Sequence, residues 1–392
     1  MLNEQMLFLG RNRSEIRELF EYGKTLTAQG KTVCDLTLGN PSTPTPDWVT
    51  EVLTDGLKSE NVHAYTSAQG SLKARQVVAN ALNSKGKVNF CADGITLTCG
   101  AAAALCGVFK ALTFDKNTEI IALSPYFPEY KVFVEGAGAK FIAVGFTGEN
   151  FSPDLSALAT AINKNTHAVI ICSPNNPSGK VFTSEEIQAI SQVLSAKEIE
   201  YGHPVYLISD EPYREIVFDD ITPPFIPDFY KNTIICYSYS KSLSLPGERI
   251  GYIAIPDQID LFNDLYAGFL GALRSYGYVC APSIFQFMIE NFKEVYADFS
   301  VYETNKNLLV DGLKKLGFTV NNPKGAFYLM LKAPDGDSKK VSQTAKELGL
   351  LIVPADTFGA KGWLRLATCV SPQTAKDSLA LFEQLSKIYG LI

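Results

Sequence analysis

The segment Ser238-Tyr239-Ser240-Lys241-Ser242 places a lysine among hydroxyls, and Arg249 follows eight positions later. A lysine amine attacks a carbonyl carbon only as the free base. A lysine that forms a Schiff base therefore needs a lowered pKa, which partial burial and a neighbouring cation supply. Arg249, with the hydroxyls of Ser238 and Ser240, suits a phosphate dianion, the guanidinium donating in fork geometry. A second acid-bearing segment, Val205-Tyr206-Leu207-Ile208-Ser209-Asp210-Glu211-Pro212-Tyr213, ends an apolar run on a carboxylate. A buried carboxylate needs a cationic partner. The protonated ring nitrogen of a bound heteroaromatic would be one, and would make that ring an electron sink. Tyr213 is placed to donate to a phenolate oxygen on the same ring. Taken alone, each feature has a plainer explanation: Lys241 as a loop lysine, Asp210 as the cap of a following helix.

Two turns join the list. Thr98-Cys99-Gly100-Ala101-Ala102-Ala103 passes from a β-rich run into a helix-like one through very small residues, so backbone N–H groups at a helix start can approach a phosphate. Ser173-Pro174-Asn175-Asn176-Pro177-Ser178-Gly179 is a turn by composition, with Asn176 able to donate to the phenolate from the side opposite Tyr213.

These residues need elements to hold them. Short, nearly continuous apolar runs recur at Ile95–Thr98, Glu119–Leu123, Lys140–Phe146, His167–Cys172, Val205–Ser209, Thr233–Tyr239 and Gly251–Ile255. Strands covered on both faces read this way, as in a mainly parallel sheet. Helix-like stretches such as Ala101–Leu112, Leu155–Ile162 and Ser184–Leu194 alternate with them, as in βαβ units. The expectation is an α/β fold: a large domain over residues 46–285 with a mainly parallel seven-stranded sheet flanked by helices. A smaller α+β domain takes both chain ends, residues 1–45 and 286–392. Ser14 to Gln29 has the apolar spacing of an amphipathic helix, and the prolines Pro41, Pro44 and Pro46 force extended chain after it.

Composition limits the function. Apolar residues make up 46% and charged residues 19% of 392, with a net charge of −6. That balance suits a globular fold and gives no field to attract nucleic acid or anionic lipid. The eight cysteines are scattered without a CxxC pair and read as buried thiols in a reducing compartment. No secretory leader is evident and no run of 18 apolar residues occurs, so the location expected is cytoplasmic. Three histidines without metal spacing (His63, His167, His203) argue against zinc sites and hydrolytic triads. Gly136-Ala137-Gly138 precedes a strand, so it is no dinucleotide fingerprint.

The order and spacing of these segments resemble fold type I pyridoxal-phosphate enzymes, specifically class I/II aminotransferases of the aspartate aminotransferase superfamily, over nearly the whole chain. The resemblance implies that Lys241 carries the cofactor, and that Ser238, Ser240, Arg249, Gly100, Ala101 and Ala102 hold its phosphate. It also implies that Asp210, Tyr213 and Asn176 contact the ring and that Phe127, in Ser124-Pro125-Tyr126-Phe127-Pro128, stacks on it. It further implies a homodimer in which Tyr65 reaches the neighbouring subunit's phosphate, a glycine loop at Gly39 on the substrate side, and Arg365 as the partner of the substrate α-carboxylate. Arg274 is the candidate for a side-chain carboxylate, with an exposed helix arginine as the plainer explanation. Two departures stand out: alanines replace polar residues in the phosphate turn, and Phe127 replaces a tyrosine or tryptophan. The implied activity is transamination between an L-amino acid and a 2-oxo acid, in amino acid metabolism, with aspartate or another dicarboxylate among the donors and aliphatic or aromatic donors also open. The same scaffold supports elimination, decarboxylation and amino acid oxidation. A cofactor-binding regulator would need a DNA-binding domain, and no basic N-terminal domain is evident.

Overall fold

In the computed structural model, which describes residues 2–11, 15–30 and 32–392, a seven-stranded sheet dominates. Its strands are β1 (Ile95–Thr98), β2 (Glu119–Leu123), β3 (Lys140–Val144), β4 (Thr166–Cys172), β5 (Tyr206–Asp210), β6 (Thr233–Ser238) and β7 (Gly251–Ala254). The spatial order is β1-β7-β6-β5-β4-β2-β3. All pairings are parallel except those of β7, which runs against β1 and β6. Parallel strands end at one edge, and that edge carries Thr98, Cys172, Asp210 and Ser238. The reversed β7 enters there, with Gly251 in register between Thr98 and Ser238.

Helices cover both faces. On one, Ala101–Ala111, Glu129–Ala137 and Phe262–Ser275 pack around Phe109, Tyr130, Val134 and Phe269. On the other, the buried Ile187, Ile190 and Leu194 of Ser184–Tyr201 meet Val169, Ile171 and Leu207. That last helix starts at a capping box between Thr183 and Glu186, which satisfies amides that the helix itself leaves free, and stops at left-handed Gly202. It runs seven residues past the expected Leu194 because Ser195 to Tyr201 contains no breaker. The run expected over Lys140–Phe146 is broken after Val144, and Phe146–Thr147 pairs instead with Ser152–Pro153.

The second unit is built from both chain ends. A three-stranded sheet contains Tyr328–Lys332, Val353–Pro354 and Trp363–Ala367. Cys34–Asp35 pairs in parallel with Leu350–Leu351, and Cys34 and Leu36 join a core with Leu309, Leu329, Leu366 and Phe382. Helix Ser283–Glu290 contributes Met288 and Ile289 to a core shared with β1, β6 and β7. A bridging cluster of Tyr213, Tyr302, Phe327, Tyr328 and Cys369 lies between the two sheets. A helix at Glu4–Arg11 precedes the expected amphipathic one, which spans Glu15–Ala28; the expected first residue, Ser14, lies outside the described residues. Of the eight cysteines, Cys34, Cys172, Cys236 and Cys369 are buried, but Cys91, Cys99, Cys106 and Cys280 are only partly so, contrary to the expectation for all eight. All are free thiols. Among the described residues no helix is long and apolar enough to cross a membrane.

Candidate active site

A cavity of about 290 Å³ opens where the strand ends meet the second unit, and Gly39, Phe127, Asn176, Asp210, Lys241 and Arg365 all line it. Asp210 and Ser238 stand at strand ends, Ala101 and Ala102 at a helix start, and Arg365 mid-strand. Gly100 caps helix Ala101–Ala111 with φ +83°, a region reached freely by glycine alone. A Cβ there would lie 2.7 Å from Arg249 Nη2. The first amides of that eleven-residue helix, from Ala101 and Ala102, therefore face an anion site beside the guanidinium. Ser238, the last residue of β6, caps the short helix Tyr239–Ser242. Its Oγ donates to Ser240 Oγ at 2.8 Å, and Arg249 Nη1 reaches Ser240 Oγ at 3.4 Å and the Pro246 carbonyl at 2.9 Å. Amides, hydroxyls and one guanidinium thus converge, which is the donor set that a phosphate dianion requires.

Asp210 ends β5 fully inside the protein. Tyr130 donates to its Oδ2, whereas Oδ1 is buried with no hydrogen-bond partner among the described residues. Burial pushes the carboxyl up to about 7, against the Tyr130 hydrogen bond and with the Glu211 charge adding to the rise. A cation at Oδ1 would reverse that penalty. Tyr213 is buried nearby with its hydroxyl 3.2 Å from that of Tyr328.

Lys241 Nζ donates to the Gly39 carbonyl at 2.7 Å and sits 5.5 Å from the Phe327 ring centre. Burial holds its amine down to about 8, with the Arg249 and Arg365 charges lowering it and the Cys369 thiol opposing. Arg365 lies mid-strand and buried. Its Nη1 donates to Asn176 Oδ1 at 3.2 Å, its Nη2 to the Thr37 carbonyl, and its Nε has no partner among the described residues. The guanidinium is held between Tyr328 and Phe358, 4.5 and 5.0 Å from their ring centres. Using its Oδ1 for Arg365 leaves the Asn176 amide nitrogen to donate elsewhere.

Three residues singled out from sequence do not line this cavity: Gly100 stands just behind its wall as the cap before Ala101, and Tyr65 and Arg274 lie away from it. Tyr65 is 98% exposed. Arg274, also exposed, borders a separate hollow of about 460 Å³ with Ala68, Tyr278 and Val279. Tyr328 and Ile16, which sequence reasoning gave no role in the site, are among its lining residues, and Tyr130, read from sequence only as one of several aromatics suited to an apolar donor, bonds Asp210. Gly39 was the available signal for Tyr328, since a Cβ there would fall 1.7 Å from the tyrosine hydroxyl.

An amide-and-guanidinium anion cradle, an orphaned buried carboxylate oxygen and a lysine of lowered pKa in one cavity fit pyridoxal phosphate, and together with the fold they define a fold type I pyridoxal-phosphate enzyme. A family profile for aminotransferase class I and II matches residues 31–380. The chain therefore belongs to the class I and II aminotransferases, whose cofactor is pyridoxal phosphate. It is 47% identical to the crystal structure of an amino transferase from Eubacterium rectale, with a TM-score of 0.97 over 99% of both chains. It is similar to an aspartate aminotransferase of Thermotoga maritima, 29% identical over 94% of this chain and 96% of that one. An aspartate aminotransferase of Pyrococcus horikoshii is 28% identical over 95% and 94%.

Proposed function

We propose that this aminotransferase moves an amino group between an L-amino acid and a 2-oxo acid, with Lys241, Asp210 and Tyr213 as its catalytic residues. The observation that carries the reading is the presence in one cavity of Lys241 Nζ, the unpartnered Oδ1 of Asp210 and Arg365. Bound pyridoxal phosphate supplies an electron sink for charge that develops at the substrate α-carbon. Gly100, Ala101, Ala102, Ser238, Ser240 and Arg249 would hold its phosphate, Phe127 and Asn176 its ring, and Asp210 its nitrogen. Lys241 Nζ would anchor the cofactor and, as the free amine, would carry the proton from the substrate α-carbon across to the cofactor side of the carbon–nitrogen bond, work suited to an amine whose pKa is held down to about 8. Arg365 receives the α-carboxylate, its plane fixed by Asn176 and two aromatic faces.

A homodimer completes the reading. Tyr65, 98% exposed here, would be contributed in trans, and Arg274 by the same route would favour aspartate or another dicarboxylate. A second reading, an aliphatic or aromatic donor, is favoured by Ile16 and Leu38 in the cavity wall. The test is a visible spectrum of the reconstituted protein titrated with aspartate, glutamate, leucine and phenylalanine, with oxo-acid products identified. Spectral conversion with release of the matching oxo acid is expected. Failure of every amino acid to release an oxo acid would overturn transamination, and absence of a lysine-bound cofactor band would overturn the role of Lys241. Arg274→Ala separates the donors, since loss of dicarboxylates alone supports the first reading.

A further inference from the structure

Outside the cavity, a buried polar cluster joins the segment that carries Asp210 to the segment that carries Lys241. Its centre is Arg214, whose side chain is 11% exposed and whose partner Glu211 is 5% exposed. Arg214 Nε donates to Glu211 Oε2, and the other oxygen of Glu211 accepts from Ser209 Oγ at 2.6 Å. Glu211, the residue after Asp210, is thereby gripped on both oxygens. Arg214 Nη1 donates to the Tyr252 hydroxyl at 2.9 Å, and its guanidinium lies over the Tyr237 ring, 4.6 Å from the centre. Tyr237 and Tyr252 stack at 4.8 Å and 21°. The Tyr237 hydroxyl sits between Glu215 Oε2 at 2.9 Å and Ser242 Oγ at 2.8 Å. Ser242 is the residue after Lys241.

We propose that Arg214 is a positioning residue for the amino-transfer site, fixing Asp210 through Glu211 and Lys241 through Tyr237 and Ser242. The proposal rests on the roles given above to Asp210 and Lys241. Asp210 ends β5 and Lys241 lies in the short helix that follows β6; the two strands share backbone hydrogen bonds, but both groups stand where that ladder stops. Past the bond from the Glu211 amide to the Cys236 carbonyl, side-chain contacts link the two short continuations. A planar guanidinium suits that task, because its donors diverge at fixed angles to a carboxylate and a hydroxyl while its face packs on a ring. An ammonium has no such plane. Catalytic groups displaced by about 1 Å can lose roughly a hundredfold in rate.

The test compares Arg214→Met, Arg214→Lys and Tyr237→Phe with the wild-type holoenzyme. The readouts are the absorbance maximum of the bound cofactor, kcat, KM for the amino donor, and Tm. The methionine fills much of the same space over Tyr237 but makes no polar contact. It should shift the cofactor absorbance and lower kcat at least tenfold while KM changes less than twofold. Arg214→Lys should fall between Met and wild type. Tyr237→Phe removes one hydroxyl from a ring that stays packed, and should lower kcat at least threefold; it carries the test should Arg214→Met not fold. A fall in Tm with unchanged spectrum and unchanged kcat per loaded site would reduce Arg214 to a stabilising ion pair and overturn the proposal. The spectral shift is read without turnover, so a wild-type enzyme that bound cofactor yet transferred no amino group would sink the functional reading and leave the spectrum to judge Arg214.

Discussion

Tyr130 donates its hydroxyl hydrogen to one carboxylate oxygen of Asp210, and the other is buried without a partner among the described residues. The two residues lie 80 positions apart, one on a covering helix and the other at a strand end. The donor stabilises the ionised carboxylate, and the other oxygen, on a residue that lines the cavity, is left for a cation. Tyr130 also meets Phe127 edge-on at 5.7 Å, so the ring expected to stack on the cofactor and the acid expected to pair with it share one support.

Removal of that support should be costly at the acid. A hydrogen bond to a charged group contributes about 1.5–3 kcal/mol, so Tyr130→Phe should lower kcat/KM roughly 10- to 100-fold. With one donor gone, Asp210 holds its proton to higher pH. The acid limb of the kcat/KM profile should therefore move upward in pH, and a profile that kept its position would contradict the assigned pairing.

The cofactor-free protein should carry a stability minimum near neutral pH. Asp210 is raised from 3.8 to about 7, so its contribution to stability is full below about pH 3.8 and is lost as pH rises through about 7. Lys241 is lowered from 10.5 to about 8, so its contribution is full above about pH 10.5 and is lost as pH falls through about 8. Between pH 7 and 8 neither contributes, and the cost is on the order of a few kcal/mol for each group. Asp210→Asn should flatten the slope of Tm below pH 7, and Lys241→Met the slope above pH 8. Wild-type slopes in both variants would show that these two groups do not govern the profile.

Much of the sheet was legible because strands buried on both faces read as unbroken apolar runs. Glu119–Leu123 and Ile95–Thr98 are observed with the bounds expected. Edge strand β3 was less so: exposed Lys140 and Ala143 dilute its apolar pattern, and a break at Gly145 divides what reads as one run. Lys241, Asp210, Asn176 and Arg249 were legible because each stands beside a strand or helix terminus that the sequence marks with small residues or prolines. Tyr130 was not, since in sequence it is one aromatic of an apolar helix face, and only the packing of that helix on β5 brings its hydroxyl to Asp210. Tyr65 and Arg274 were assigned by resemblance to contacts with a neighbouring subunit, and this chain leaves both exposed.

Gly100 should be irreplaceable for cofactor binding. Its φ of +83° with ψ of 175° costs a residue with a Cβ about 1–3 kcal/mol, and that Cβ would displace the Arg249 guanidinium. Gly100→Ala should weaken pyridoxal-phosphate affinity at least tenfold by equilibrium titration. Gly136→Ala, within a helix where an added Cβ meets nothing within 4 Å, should leave affinity unchanged and is the control. Equal affinities in the two variants would show that the anion cradle lies elsewhere.

Arg365 should act on substrate and not on cofactor. Its guanidinium is oriented by Asn176, the Thr37 carbonyl and two ring faces, so what it offers a carboxylate is a fixed fork. Lysine keeps the charge but loses the fork and the stacking. Arg365→Lys should raise KM for both the amino acid and the oxo acid roughly 10- to 100-fold, the range for one charge-assisted hydrogen bond. The absorbance of the resting cofactor and its affinity should stay as in the wild type. A variant that kept KM but lost cofactor would place Arg365 on the phosphate side of the cavity and would remove it from the substrate site.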